Sequence, residues 1–240
     1  MISRYGMDAP LVVRNLFLFG SVALVLAAYS FLINHPIWFW IAFSYATLTS
    51  LSLFGAGSWM LYSMWVMKPK MALRLIEGLE LKGHEKILDL GCGSGLLLIE
   101  AAKRLPSGKA YGIDLWQTKD QSGNRMEKTL SNAEAEGVTH RIEIETGDIR
   151  SLPYPDGTFD AVVSSLVIHN IPNEQERERA LKEMLRVLKP GGKFALIDLH
   201  YGKKYALFLK KVAKVDPSST LTGSRFYCPP VQVIKGQKPN

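Results

Sequence analysis

Residues Ile87 to Ala102 read Ile-Leu-Asp-Leu-Gly-Cys-Gly-Ser-Gly-Leu-Leu-Leu-Ile-Glu-Ala-Ala: an apolar strand, three alternating glycines, then a helix. Asp89, Gly91, Gly93 and Gly95 leave the turn between them almost free of side chains. Backbone N–H groups in such a turn approach a ligand's polar atoms closely, at the positive end of the following helix. A nucleotide-like cofactor is the expected occupant.

A dinucleotide loop requires G-x-G-x-x-G/A, whose third small residue lets the helix pack beneath a pyrophosphate. Counted from Gly91 that position is Leu96, and counted from Gly93 it is Leu98; neither fits. The register that fits is Asp-x-Gly-x-Gly-x-Gly. A carboxylate at Asp89 repels a pyrophosphate and suits a cationic amino group, which favours S-adenosylmethionine (SAM) over NAD. Cys92 serves as a small loop residue, since it has no partners at metal-ligand spacing, and no metal is expected. A second acid, Asp114, ends the short strand from Lys109 and lies 19 residues beyond Gly95. At that distance an acid accepts hydrogen bonds from ribose hydroxyls. A third, Asp148 in Gly147-Asp148-Ile149, follows the alternating strand that starts at Arg141.

The glycine loop, Gly112-Ile-Asp114, the run from Thr146 to Ser165 and the run from Leu181 to Asp198 occur in that order. As a set, over about Pro69 to Leu199, they resemble the class I SAM-dependent methyltransferases, in particular the subgroup with quinone-pathway C-methyltransferases. The resemblance implies that Asp89 and the loop Gly91, Cys92, Gly93 and Gly95 hold the methionine end. It places Asp114 on the ribose and Leu115 beside the adenine. Asp148 is then expected at the adenine amino group, with Ile149 on the ring, and the backbone of Ser164 and Ser165 at the methionine. A non-catalytic SAM-binding membrane subunit is the alternative reading.

The elements that carry these residues alternate. Strands are expected at Lys86–Leu90, Lys109–Ile113, Arg141–Glu145, Phe159–Ser165 and Lys193–Leu199. Helices are expected at Pro69–Leu81, Leu96–Arg104, Asn124–Glu136, Glu174–Leu188 and Tyr205–Val215, with a late edge strand over Pro229–Lys235. This is an α/β pattern: a Rossmann-like, doubly wound, mostly parallel sheet with helices on both faces. Ligands in such sheets sit at the carboxyl ends of the strands, where the acids fall. The polar loop from Trp116 to Asn124 either closes over the adenosine, through Asp120 or Gln121, or caps the next helix through Ser122.

The first third differs. Between Arg14 and Lys68 there is no Asp, Glu, Lys or Arg. Leu16 to Ile33 is one apolar run and Ile37 to Met67 a longer one, broken at Asn34-His35-Pro36. A membrane span takes about 20 apolar residues. The expectation is therefore a transmembrane hairpin within residues 1–68, with spans at about 13–33 and 38–64, ahead of a methyltransferase domain at 69–240. A signal peptide ending near Ala28 leaves the second run unexplained. Trp38, Trp40, Tyr62 and Trp65 suit interfacial anchoring. Gly55-Ala-Gly57-Ser58 offers a close-packing surface, either for the first helix or for another protomer in a homo-oligomer. Arg4 and Arg14 precede the spans, Lys68, Lys70 and Arg74 follow them, and the turn has no basic residue. Both ends are then expected in the cytoplasm.

Net charge is +7; removing Arg4, Arg14 and Asp8 leaves +6 beyond the hairpin. A basic domain beside a membrane is expected to meet anionic headgroups, with no nucleic-acid motif present. Two cysteines, Cys92 and Cys228, give no disulfide framework. The expected acceptor of the methyl group is hydrophobic or lipid-like. If the acceptor must lose a proton, His169 is the best-placed base, ahead of Asp198 and His200.

Overall fold

The computed structural model describes residues 5–6, 10–30, 38–117, 123–214, 218–220, 227 and 230–240. The turn at Asn34-His35-Pro36, the loop residues Asp120, Gln121 and Ser122, and Cys228 lie outside them.

Seven strands form one sheet: β1 (Lys86–Leu90), β2 (Lys109–Asp114), β3 (Ile142–Thr146), β4 (Phe159–Ser165), β5 (Leu188–Asp198), β6 (Ser218–Thr220) and β7 (Gln232–Gln237), in the order β3-β2-β1-β4-β5-β7-β6. The first five pair in parallel, and β7 runs antiparallel to both β5 and β6. Strand order reverses between β1 and β4, which opens a crevice at their carboxyl ends. Leu90 pairs with Ile113 on one side and Ser164 on the other, so β1, β2 and β4 end level. That register brings Asp89, Asp114 and Ser165 to one rim.

Ile87, Leu88 and Leu90 of β1 are fully enclosed, as the apolar run requires of a central parallel strand. One face is covered by α3 (Lys68–Glu77) and α4 (Leu96–Ala102), which supply Leu75, Ile76, Leu98 and Ile99. The other is covered by α6 (Glu174–Val187) and α7 (Gly202–Ala213), through Leu181, Met184 and Leu209. Burying each such side chain stabilises the fold by about 1.5–3 kcal/mol. The helix α5 (Met126–Ala135) lies beyond the glycine loop.

Two sequence expectations shift. The late strand is β7, and it lies inside the sheet because β6 forms the edge. Strand β5 starts at Leu188, directly after α6, with an irregular register opposite Phe159 and Ala161.

Ahead of the sheet, α1 (Pro10–Ser30) packs against α2 (Trp38–Tyr62). Gly20 faces Phe54, Gly57 faces Phe17, and the Phe17 and Phe54 rings lie 5.7 Å apart. Ser50 donates to the Gly20 carbonyl at 3.0 Å, and Val13 meets Met60 and Met64. Rising numbers on α1 meet falling numbers on α2, so the pair is antiparallel. Gly57 is thus covered by the first helix, whereas Gly55 looks into open space. Leu18, Val25, Tyr45 and Leu51 point outward.

Where two spans were expected, one helix among the described residues is long and apolar enough to cross a membrane: Pro10–Tyr29, with mean hydropathy 2.1. Helix α2 carries no charged side chain, whereas α1 contains Arg14 near its start. It continues through a π-helical turn at Ser63–Met67 straight into α3. The boundary expected at 68/69 is therefore the middle of a continuous helix.

The substitution Gly57→Leu tests this pairing. It drives a side chain against Phe17, whose Cε2 lies 2.9 Å from where a Cβ would stand. A loss of about 1–3 kcal/mol is expected, read from unfolding in detergent; an unchanged midpoint counts against the packing.

Candidate functional site

Three of the five residues from Gly91 to Gly95 have positive φ: Gly91 at 68°, Gly93 at 51° and Gly95 at 85°. A side chain at Gly91 meets Val167 as well as that strain, since a Cβ there lies 2.4 Å from Val167 Cγ2. At Gly95 it lies 2.7 Å from Thr129 Cγ2. The loop is tied down from below. Gly91 and Cys92 N–H groups donate to the Ile113 carbonyl, at 2.8 and 3.2 Å. From α5, Thr129 donates to the Gly93 carbonyl and Asn132 to that of Ser94.

Above the loop opens a cavity of about 470 Å³. Asp89, Gly91, Cys92, Gly93, Asp114, Leu115, Asp148, Ile149, Ser165 and His169 all line it. Two expected residues do not. Gly95 shapes the turn, and Ser164 is buried, donating its hydroxyl to the Leu90 carbonyl at 2.8 Å.

The acids occupy different environments. Asp89 is 2% exposed, and burial, reinforced by the charge of Asp114, pushes its carboxyl well above the usual range. The same burial, with Asp89 and Asp114 adding, pushes the Cys92 thiol up and keeps it protonated. Asp114 accepts from Gly93 N–H at 2.9 Å, Trp116 N–H at 2.6 Å and Asn124 Nδ2 at 3.1 Å. Asn124 Oδ1 is buried in the cavity wall with no hydrogen-bond partner among the described residues. An acceptor without a donor, next to a carboxylate with lone pairs to spare, is what a pair of ligand hydroxyls satisfies. Asp148 is gripped by Arg150, whose Nε reaches both carboxylate oxygens at 2.9 Å and whose Nη1 reaches Glu176 at 3.2 Å. That guanidinium holds the Asp148 carboxyl below its ordinary range.

At the opposite wall, Leu166 takes φ 61° just after β4 and donates its N–H to the Ile197 carbonyl at 2.8 Å. The turn carries Val167 over Gly91 and delivers His169 to the end of β5. His169 Nδ1 pairs with Asp198 Oδ1, and its backbone N–H reaches Oδ2 at 3.0 Å. Asp198 is therefore a partner of His169 rather than a rival to it. His200 stands 6.2 Å away, ring to ring. Arg177, 5% exposed, fixes the adjoining loop by donating to the Ile171 and Pro172 carbonyls at 2.7 and 2.8 Å.

Lys68, Tyr5, Asn124 and Arg150 line the cavity although sequence reasoning missed them. Asn124 was expected to open a helix that in fact begins at Met126. The Asp148-x-Arg150 spacing was a readable signal for their pairing.

A parallel sheet reversing its order over a glycine loop, with acids at the strand ends, is the class I methyltransferase fold. Residues 88–196 match the methyltransferase domain family. The demethylmenaquinone methyltransferase of Symbiobacterium thermophilum is 35% identical over 127 residues, covering 52% of this chain and 46% of its own. The chain spans about half the length of the curated relatives it matches. Among solved structures, a SAM-dependent methyltransferase from Aquifex aeolicus superposes with TM-score 0.54 at 21% identity, covering 71% of this chain and 89% of its own. The [4+2]-cyclase SpnF gives 0.61 at 19%, covering 73% and 83%. These likenesses show the fold; a cyclase among them shows that the fold alone does not choose the reaction.

Gly91→Ala is expected to cost about 1–3 kcal/mol or more, because it adds positive-φ strain to the Val167 clash. Urea unfolding checks it, with Gly123→Ala as the control: that glycine also has positive φ but meets nothing within 4 Å among the described residues. Equal losses in the two variants would remove Val167 from the account.

Proposed function

We propose that the chain is a membrane-anchored SAM-dependent methyltransferase whose acceptor is hydrophobic. The observation that carries this reading is one cavity with two boundaries. The glycine loop and its acids form one wall, and Lys68, the first charged residue after Arg14, stands in another. Beside Lys68 a narrow cleft is lined by Met71, Ala72, Leu166 and Tyr227. The named demethylmenaquinone methyltransferase supports an acceptor of this kind.

In this reading Asp89 receives the cofactor's amino group, with the backbone of Gly91, Cys92 and Gly93 around the methionine. Asp114 and the unpaired Asn124 Oδ1 take the ribose hydroxyls. Leu115 and Ile149 flank the adenine. Asp148 accepts from the adenine amino group with the lone pairs Arg150 leaves free, and Ser165 meets the methionine through its backbone. When bound, SAM supplies an activated methyl on a sulfonium. The residues here supply proximity, orientation and exclusion of water.

The anchor reading rests on α1, most of whose surface is uncovered. A charge-free helix packed antiparallel along it shares its depth, so α1 and α2 together form a hairpin. In that antiparallel pair Arg14 lies at the same end as Lys68, Lys70 and Arg74, which puts the domain on the cytoplasmic side. The domain's positive charge then faces anionic headgroups. Alkaline extraction of membranes should leave the protein with the lipid; release into the supernatant would argue against the anchor.

Methyl-labelled SAM with membrane lipid extract is expected to give labelled lipid, and Asp89→Ala to abolish it. Equal labelling by both proteins would take Asp89 out of the site. A cation binds the Asp89 carboxylate, whereas burial favours its protonated form in the free protein. Affinity for S-adenosylhomocysteine should therefore rise with pH up to the raised Asp89 value, with a proton released on binding. Calorimetry in buffers of different ionisation enthalpy measures this, and Asp89→Asn should flatten the dependence.

A further inference from the structure

We propose that His169, positioned by Asp198, removes a proton from the methyl acceptor, which makes the acceptor a protic one: a hydroxyl or an acidic carbon. This rests on the methyl-transfer reading above and narrows it. A thioether presents a lone pair and needs no base; a phenol, enol or carbon acid does.

The geometry is that of an oriented imidazole. Asp198 is 2% exposed and uses both carboxylate oxygens on one residue, Oδ1 at the His169 ring and Oδ2 at its backbone N–H, 3.0 Å away. The Tyr205 hydroxyl, from α7, adds a donor to Oδ2 at 3.3 Å, and Leu199 N–H adds one to Oδ1 at 2.8 Å. Burial, with the Asp198 charge next, raises the Tyr205 phenol, so it remains a donor throughout the working range. A carboxylate fixed at Nδ1 keeps the proton there and leaves Nε2 as the acceptor; it also stabilises the imidazolium once formed. His169 lines the cavity with Asp89 and Ser165, and its side chain is 16% exposed, enough to meet a substrate and too little to be freely solvated. A histidine that merely caps a strand end needs no buried carboxylate with four donors.

The step balances as follows. The acceptor's oxygen or carbon forms a bond to the methyl carbon while the carbon–sulfur bond breaks, its electron pair staying on sulfur. The proton of that oxygen or carbon passes to Nε2, and Asp198 offsets the resulting charge. The other groups around the pair are His200 after β5, Tyr201 and Tyr205 at α7, and Arg177 of α6, stacked 4.0 Å over the Tyr201 ring. Arg177 is held by two carbonyls, and the other histidine beside His169 is His200.

The test uses full-length protein in detergent, methyl-labelled SAM and total membrane lipid extract as acceptor source. The labelling rate of the wild type should rise with pH through one ionisation and then level off. Asp198→Asn and His169→Gln should each lower it about a hundredfold or more, with S-adenosylhomocysteine affinity unchanged within about twofold. Their double variant should lose no more than either alone, as members of one unit do. His200→Gln should keep both the rate and the pH profile. Labelling by Asp198→Asn within about threefold of wild type, or a parallel loss of cofactor affinity in His169→Gln, overturns the proposal and leaves methyl transfer standing. Cofactor binding with no labelling by wild type overturns methyl transfer itself, and this proposal with it.

Discussion

The site depends on a steric constraint at the end of the central strand. Chain leaving β1 must turn into α4 within five residues, and three of those residues sit in left-handed conformations. Val167 occupies the space above Gly91, Thr129 that beside Gly95, and Cys92 packs on Gly112. With every flank filled, the loop's remaining open side is the cavity. The same contacts distribute the other groups. Gly93 N–H fixes Asp114, and the seat of Val167 over Gly91 dictates where the turn after β4 goes. His169 follows two residues later. Moving the loop would therefore displace groups on three strands at once.

Strands β1 and β4 were legible to the residue because both are apolar runs bounded by turn residues and buried on both faces, where pattern and environment coincide. The carboxylates at strand ends were legible for the same reason, being polar interruptions in otherwise apolar sequence. What local pattern could not carry was the job of a residue set by a distant partner. Asn124 looks like the start of a helix until Asp114, ten positions earlier, is folded beside it. Lys68 looks like a membrane-flanking charge until the continuous helix through α2 and α3 lays it on the cavity wall. The place of β7 inside the sheet depends on β6, whose three residues carry no periodic signal. Ser164 was assigned by its motif, yet the alternation of β4 turns it into the sheet and leaves Ser165 at the rim.

Four acids near strand ends show how little residue type decides. Asp148 already has a guanidinium and Asp198 an imidazole; Asp114 is satisfied by backbone and amide donors. Asp89 is the most enclosed of the three acids lining the cavity, and it faces a second carboxylate. Burial favours the protonated form of such an acid, and a nearby positive charge offsets the desolvation of its carboxylate. The pair Asp89 and Asp114 thus disfavours anionic ligands such as a pyrophosphate and favours one that is cationic at one end and hydroxylated at the other. That discrimination arises from burial and mutual repulsion, and it would be weak for the same acids on an exposed surface.

The continuous helix bears on how an apolar acceptor could be handled in the proposed reading. Withdrawing a lipid-like molecule from a bilayer into water costs about 0.8 kcal/mol per methylene, which for a long tail exceeds any affinity a site could supply. A cavity of about 470 Å³ that must also hold an adenosine and a methionine has room for a reacting end and not for a tail. The arrangement that meets both limits keeps the tail in the membrane and brings the reacting end to the cofactor. Helix α2 passing into α3 without a break supplies that geometry, because it sets Lys68 in the cavity wall directly after the uncharged segment. A flexible linker would hold the domain near the bilayer without fixing which face of it met the lipid; a rigid helix fixes the face.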